Sequence, residues 1–224
     1  MNLTEDLIAQ KINDLLDNNP NPFEVLYNVP HAQVAHRQDG AYTCFKNTST
    51  LAAPFCNTVS LMAEVDLWPQ LIDMVEYAQI VSGEDSLNKV IDVKIKVPFP
   101  LIKARLSRVA LQLINRRQTD GWIGLYAEGL DLEQVPGVVI AHIRYLAMRV
   151  TPNEDLSECK LEVIVEVDPK MTVPHFLLKW LTHFMGNTVY QKFLTAATNL
   201  TGEHRLRMES KSALYESFCG SSSH

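Results

Sequence analysis

Cys159-Lys-Leu-Glu-Val-Ile-Val-Glu-Val-Asp168, followed by Thr172-Val-Pro-His-Phe-Leu-Leu-Lys-Trp-Leu-Thr-His-Phe-Met185, decides the fold. In the first stretch Leu161, Val163, Val165 and Val167 share one side, and Lys160, Glu162 and Glu166 share the other. That period of two marks a strand with one buried face. In the second, Thr172 is a capping residue and Pro174 has its φ preset for a first helical turn. Phe176, Leu177, Trp180, Leu181, Phe184 and Met185 then form a wide apolar stripe at helical spacing. A half-buried strand leading into a broad aromatic helix predicts an antiparallel sheet gripping a late helix. The space between them is apolar on both walls and suits a greasy molecule.

Working outward, residues 4–17 read as a helix, with Thr4 as N-cap, Glu5 and Asp6 in the first turn, and Leu7, Ile8, Ile12, Leu15 and Leu16 on one face. Asn18-Asn-Pro20 ends it. Val25-Leu-Tyr27, Gln33–Arg37 and Ala41–Lys46 read as short strands, the last two joined at Asp39-Gly40. Pro54 opens a second helical region carrying Phe55, Val59, Met62 and Ala63, then Trp68, Leu71, Ile72 and Val75, divided at Pro69. Lys89–Val97, Ala104–Arg117, Trp122–Leu130, Val138–Val150 and the opening strand then form a meander, with turns at Pro98-Phe-Pro100, Thr119-Asp-Gly121 and Thr151-Pro-Asn153. After Gly186 a further helix runs from Thr188 to Thr198. This order predicts an α+β fold with helices segregated to one face of an antiparallel sheet. One domain over residues 1–224 is expected, with an N-terminal helical segment over 1–19 and a polar tail over 202–224 whose Gly220–His224 end is disordered.

The chain is 224 residues long, 46% hydrophobic and 21% charged, as globular proteins are. A formal net charge of −6 argues against a nucleic-acid partner. No run approaches the ~20 apolar residues of a membrane-spanning helix. Met1-Asn-Leu-Thr-Glu-Asp6 has no basic start and no apolar core, so a cytoplasmic location is expected. Cys44, Cys56, Cys159 and Cys219 lie far apart, which reads as free thiols in a reducing compartment. On that reading the sequons at Asn2, Asn47 and Asn199 carry no weight.

Three pieces, in this order, resemble the START (StAR-related lipid-transfer) family of the Bet v 1-like superfamily. They are Ala63-Glu-Val-Asp-Leu-Trp-Pro69; Lys96-Val-Pro-Phe-Pro-Leu101 with Arg105; and Val167-Asp-Pro-Lys170 with Val173-Pro174 and Trp180. The resemblance runs from about Phe23 to about Ala197. It implies a helix-grip fold: a curved antiparallel β-sheet wrapped around a long C-terminal α-helix, with an internal apolar cavity holding a sterol, a phospholipid or a ceramide-like lipid. It also implies that this helix and a neighbouring loop gate the cavity at a membrane. The chain departs from the family pattern at three places. Ala104 and Arg105-Leu106 stand where the family has an arginine and then an acidic residue. Val138-Val-Ile-Ala141 follows Pro136-Gly137 without the usual arginine. Met171 replaces a glycine. The first two departures remove the family's usual buried charges as a guide to the lipid.

Periodicity puts Ile91, Val93, Ile95, Val109, Leu111, Leu113, Leu161, Val163 and Val165 on the concave face, either as solid core or, as the resemblance implies, as cavity wall. Arg105 and Ser107 share the parity of Val109 and Leu111, and a buried arginine needs a partner, either a ligand head group or a rim carboxylate. His142 and Arg144 share the parity of Ile140 and Leu146. They stand either at one end of a tunnel or on the outer face. Phe176, Leu177, Trp180 and Phe184 are helix positions where core and ligand wall coincide. Trp122 and Tyr126 oppose Ile123, Leu125 and Ala127, with the inner face undecided. Seven histidines raise a metal hypothesis, but none pairs with cysteine or carboxylate at ligand spacing. No nucleotide-binding or nucleophile-elbow motif occurs.

The leading expectation is therefore a non-enzymatic, monomeric lipid carrier with no cofactor and no catalytic residue, which meets membranes transiently. Two alternatives stand beside it. One is a helix-grip enzyme of cyclase or aromatase type, for which His142 is the candidate acid–base group. The other is an interaction module using the helix at 4–17.

Overall fold

The computed structural model describes residues 3–83, 87–100 and 102–220. Helix α1 (Glu5–Leu16) starts where Thr4 accepts a hydrogen bond from the Leu7 amide at 3.4 Å. Strands β1 (Glu24–Val29), β2 (Ala32–Asp39) and β3 (Tyr42–Leu51) follow as hairpins, and Gly40 supplies the positive φ that the turn before β3 requires. Helix α2 (Phe55–Ala63) leads into a tight helical turn over Val65–Gln70 that contains Pro69.

Val75 then opens a strand, β4 (Val75–Ser82), and not the end of a helix as the apolar spacing suggested. Most of β4 is exposed at the sheet edge, so its sequence lacks the alternation that reveals a half-buried strand. Strand β5 (Asn88–Ile95) pairs with β6 (Arg105–Arg116). The short helix α3 (Arg117–Asp120) and Gly121, at φ +81°, connect to β7 (Trp122–Leu130). The predicted strand at 138–150 is two strands. Val139–Ile140, β8, pairs parallel with β6, and His142–Pro152, β9, pairs with β7 and β10 (Cys159–Asp168).

Among the described residues the sheet has ten strands in the order β1-β2-β3-β10-β9-β7-β6-β5-β4, with β8 beside β6. Its inner face carries Val109, Leu111, Leu113, Ile123, Leu125 and Ala127. Its outer face carries Cys44, Trp122, Tyr126, Ala147 and Ile164 against Ile8, Ile12 and Leu16 of α1. That settles which side of β7 faces in. Close approach of α1 depends on Gly124, where a Cβ would lie 2.7 Å from Ile12 Cδ1. Arg149 ties α1 down, donating to Asp17 and to Glu162 at 2.7 Å each.

Helix α4 (His175–His183), a π-helical turn over Phe184–Val189 and α5 (Tyr190–Thr198) form one continuous helix without the break expected near Gly186. It crosses β1 and β2 and ends on α2. At Gly186 a Cβ would lie 2.3 Å from the Tyr27 ring, so only glycine lets the wide turn settle there.

The tail departs from expectation in two ways. Gly202–Ser210 (α6) and Ser212–Cys219 (α7) are helices, and Tyr215 and Phe218 of α7 are buried. Their sparse apolar residues gave no stripe because much of the attachment is ionic. The buried carboxylate of Glu64 accepts from Arg207 at 3.0 Å, Lys211 at 2.7 Å and Tyr215 at 2.8 Å. Cys56 and Cys219 form a disulfide, which corrects the free-thiol reading for this pair. Cys44 and Cys159 are free and buried. A separation of 163 residues hides such a pairing from sequence spacing. Of the disordered end expected at Gly220–His224, Ser221–His224 lie outside the described residues, as does Leu101 of the Lys96–Leu101 piece.

Candidate ligand cavity

Between the inner face and the long helix lies a cavity of about 270 Å³. Its walls follow from the alternation of each strand. β5 contributes Ile91, Val93 and Ile95, β6 contributes Val109 and Leu111, and β10 contributes Leu161, Val163 and Val165. The helix closes it with Phe184, Met185 and Val189 from the π-helical turn. Trp68 and Ile72 close it at the turn after α2. A π-helical turn widens a helix and recurs at functional sites. Here it lowers three side chains onto the cavity.

Among the described residues the wall includes Asn47, Ser49, Tyr190 and the indole of Trp68, but the surface it presents to the cavity is almost wholly apolar. Tyr190 donates to the Thr50 carbonyl at 3.0 Å, and burial pushes its phenol pKa up. Ser49 donates to Asn47 Oδ1 at 2.7 Å.

Of the expected site residues, Ile91, Val93, Ile95, Val109, Leu111, Val163, Val165 and Phe184 meet on this wall. The three charged or titratable candidates do not. Arg105 turns to the rim, where it donates to the carbonyls of Lys103 and Pro169 and to Met171 Sδ rather than to a carboxylate. His142 and Arg144 fall outside because the β9–β10 ladder bulges. Tyr145 faces Glu166 and Ile143 faces Val167, leaving Arg144 as the extra residue. The bulge brings Ile143 to the cavity wall and sends His142 to Tyr42, with Nδ1 and the hydroxyl 3.3 Å apart. Arg144 sits 3.8 Å over the Tyr42 ring and donates to buried Glu166 at 2.7 Å. A parity count from Leu146 back to His142 could not anticipate one inserted residue.

Leu177 is buried away from the cavity wall. Phe176, 62% exposed, and Trp180 belong to an aromatic clamp at the Val165 end. Phe99, in the loop between β5 and β6, lies 5.9 Å from Phe176 and 5.2 Å edge-on from Trp180. Trp180 in turn stacks on Phe184 at 5.2 Å. Loop and helix are thus joined by ring contacts of modest strength, ~1 kcal/mol each beyond burial. Sequence reading missed Asn47 and Ser49, although both share the parity of Phe45 and Leu51, which alternation could have extended along β3.

A second, larger cleft of about 750 Å³ lies between α2, the end of α5 and the tail, beside the Cys56–Cys219 bond. It is open to solvent, and its mixed lining includes Arg205, Glu209 and Glu216. The apolar cavity between sheet and helix, not this cleft, has the form of a site for a hydrophobic molecule.

No family model matches the chain, and no curated protein matches it. Solved structures share its fold. Human StAR-related lipid transfer protein 5 superposes with a TM-score of 0.69 at 12% identity, covering 86% of this chain and 94% of that one. Human STARD10 gives 0.73 at 11% identity, covering 96% and 86%. The human StarD13 (DLC2) lipid transfer and protein localization domain gives 0.65 at 14% identity, covering 89% and 100%. The helix-grip fold expected from the sequence is therefore the fold of this chain. At such identities the likeness concerns the fold alone.

Proposed function

We propose that the protein binds one lipid in the cavity between sheet and helix and carries it, as a monomer, between membrane surfaces. The observation that supports this most is the apolar cavity of about 270 Å³ under a helix that contains a π-helical turn. Its driving force is burial: each methylene removed from water contributes ~0.8 kcal/mol, so a twelve-carbon chain contributes about 10 kcal/mol before the costs of association. The volume lies just below the ~300–1,000 Å³ of drug-sized sites, so a whole lipid requires the walls to move apart. The clamp of Phe99, Phe176 and Trp180 is the place for that movement, since it joins a loop and a helix through ring contacts. His142, which an acid–base enzyme would need inside, faces Tyr42 on the outer side. The fold shared with lipid transfer proteins adds to the reading.

The test is transfer of fluorescent lipids between donor and acceptor liposomes at substoichiometric protein, with native mass spectrometry of lipid retained on purification. Transfer or a retained lipid is expected. Neither binding nor transfer across phospholipids, sterols, ceramides and single-chain lipids would remove the proposal.

A further inference from the structure

We infer that the ligand lies tail-first: one hydrocarbon chain fills the cavity, and an acidic head group, a carboxylate or a phosphate monoester, is held at the rim by Arg105. The inference rests on the lipid-carrier reading and names its ligand class. The cavity itself suits hydrocarbon only, because the surface it presents is almost wholly apolar. A head group drawn inside would lose its hydration without replacement. A methylene takes up about the volume of a water molecule, ~30 Å³. The cavity of about 270 Å³ therefore has room for one chain of about nine carbons.

Ladder register sets which end of the cavity meets the rim. The wall runs to Leu51, which pairs with Cys159, and from there along β10 through Leu161, Val163 and Val165. At its other end is Ile95 of β5. Ile95 lies directly opposite Arg105 on the β5–β6 ladder, so Arg105 leaves the sheet on the cavity side. Its guanidinium donates to the Pro169 carbonyl at 3.2 Å and to Met171 Sδ at 2.8 Å, in the loop that leads from β10 into the long helix. Phe99, in the loop that follows Ile95, meets Trp180 at this same end.

Arg105 has no carboxylate partner among the described residues. Three of its five N–H groups are used, two on carbonyls and one on a thioether, which is a weak acceptor. Burial pushes its pKa down, and no neighbouring charge offsets that. One N–H of each terminal nitrogen remains, and an oxyanion can accept from both. The surroundings are cationic as well. Lys96, Lys103 and Lys179 are exposed and form no ion pair among the described residues. The chain has no Asp or Glu from Lys96 to Arg105, or from Pro169 to Val189. Asp168, which borders the second stretch, is taken by Lys170, whose amide and ammonium donate at 2.8 and 2.6 Å. On a chain with a formal net charge of −6, this rim is a local basic surface that attracts anions.

The test uses one ten-carbon chain with four ends: decanoate, decyl phosphate, decan-1-ol and decyltrimethylammonium. Each is titrated at pH 8 against the full-length protein by tryptophan fluorescence and by native mass spectrometry. Decanoate and decyl phosphate should bind at least tenfold tighter than decan-1-ol, and decyltrimethylammonium weakest. Arg105→Gln should weaken the two acids by about tenfold, to the level of the alcohol, and leave decan-1-ol unchanged. Arg105→Lys, which keeps the charge, should retain most of the preference. Inorganic phosphate alone should not bind, since it has no chain to bury. Decan-1-ol binding the parent as tightly as the acids overturns the inference, and this comparison decides even if Arg105→Gln does not fold. An unchanged acid preference in Arg105→Gln overturns it too, as does inorganic phosphate binding as tightly as decyl phosphate. If none of the four chains binds the parent protein, the carrier reading itself has failed, a result distinct from binding without selectivity.

Discussion

Val163 faces the cavity, and its partners across the ladders, Asn47 and Met148, are on the same wall. A carboxylate there would be costly if dry, but water can follow it into a hollow site. Val163→Asp should therefore remain soluble and cooperative in thermal melts while losing roughly 100-fold or more in lipid affinity, the equivalent of ~2.7 kcal/mol. Complete unfolding of that variant would show that the wall is packed solid. His204 poses the opposite problem. It is buried on α6, neither ring nitrogen has a hydrogen-bond partner among the described residues, and burial lowers its pKa, with Glu64, Asp66 and Glu203 pulling it up and Arg207 pushing it down. A folded-state pKa below the unfolded value of ~6.5 means that the unfolded chain takes up the proton first, so stability is lost as pH falls through ~6.5. Glu64 adds to this at lower pH. Burial raises its pKa, but hydrogen bonds from Lys211, Tyr215 and Arg207 win and hold it at about 2, so its contribution is lost only below ~4.5. Between pH 7 and 5.5, His204→Leu should flatten the decline in Tm. An identical slope in variant and parent would show that His204 does not govern it.

At the scale of elements, the long helix and the β5–β6 loop touch through Phe99, Phe176 and Trp180. If their parting admits the lipid, a cystine between Phe99→Cys and Phe176→Cys should leave the fold and any lipid already bound intact while stopping exchange. Reductant should restore it. The parent treated with the same reductant is the necessary control, because it too contains a disulfide, Cys56–Cys219. Exchange by the cross-linked protein at the parent's rate would place lipid access elsewhere. This region shows where sequence reading succeeds and where it stops. The apolar alternation of β5, β6 and β10, and the stripe through Phe184, located the cavity wall because each depends only on a local period. The π-helical turn was not legible. It follows from Gly186 meeting Tyr27, a contact between the third-last helical segment's neighbourhood and the first strand. Nor was the bulge at Arg144, which moves one residue and thereby exchanges inside for outside at His142 and Ile143. Edge strand β4 and the tail helices escaped for a related reason. The first buries too little to alternate, and the second are held by a buried carboxylate and a disulfide rather than by a stripe.

For the whole molecule, one sheet serves two interiors. Its outer face is closed by α1 in a compact cluster of Ile8, Ile12, Leu16, Trp122 and Ile164. Its inner face is packed around Leu125 and Phe55 but open around Val163. Left unfilled, an apolar space of about 270 Å³ would forgo contacts on the order of 6 kcal/mol at ~24 cal/mol per Å³. That is comparable with the whole stability of many domains, ~5–15 kcal/mol. A ligand that fills the space restores those contacts in the folded state alone, so binding and stability must rise together by mass action. At a hundredfold excess over Kd the gain is ~2.7 kcal/mol. For a chain of this size each kcal/mol corresponds to ~2–4 °C, so Tm should rise by roughly 5–11 °C with a cavity-filling lipid. Delipidated protein should show the low value, and added lipid should restore the high one. The same lipid should give no rise in Val163→Asp, whose cavity takes up water instead. A rise of equal size in both proteins would mean that the lipid stabilises from outside, on a surface such as the cleft beside the tail, and the hollow between sheet and helix would then not be the site.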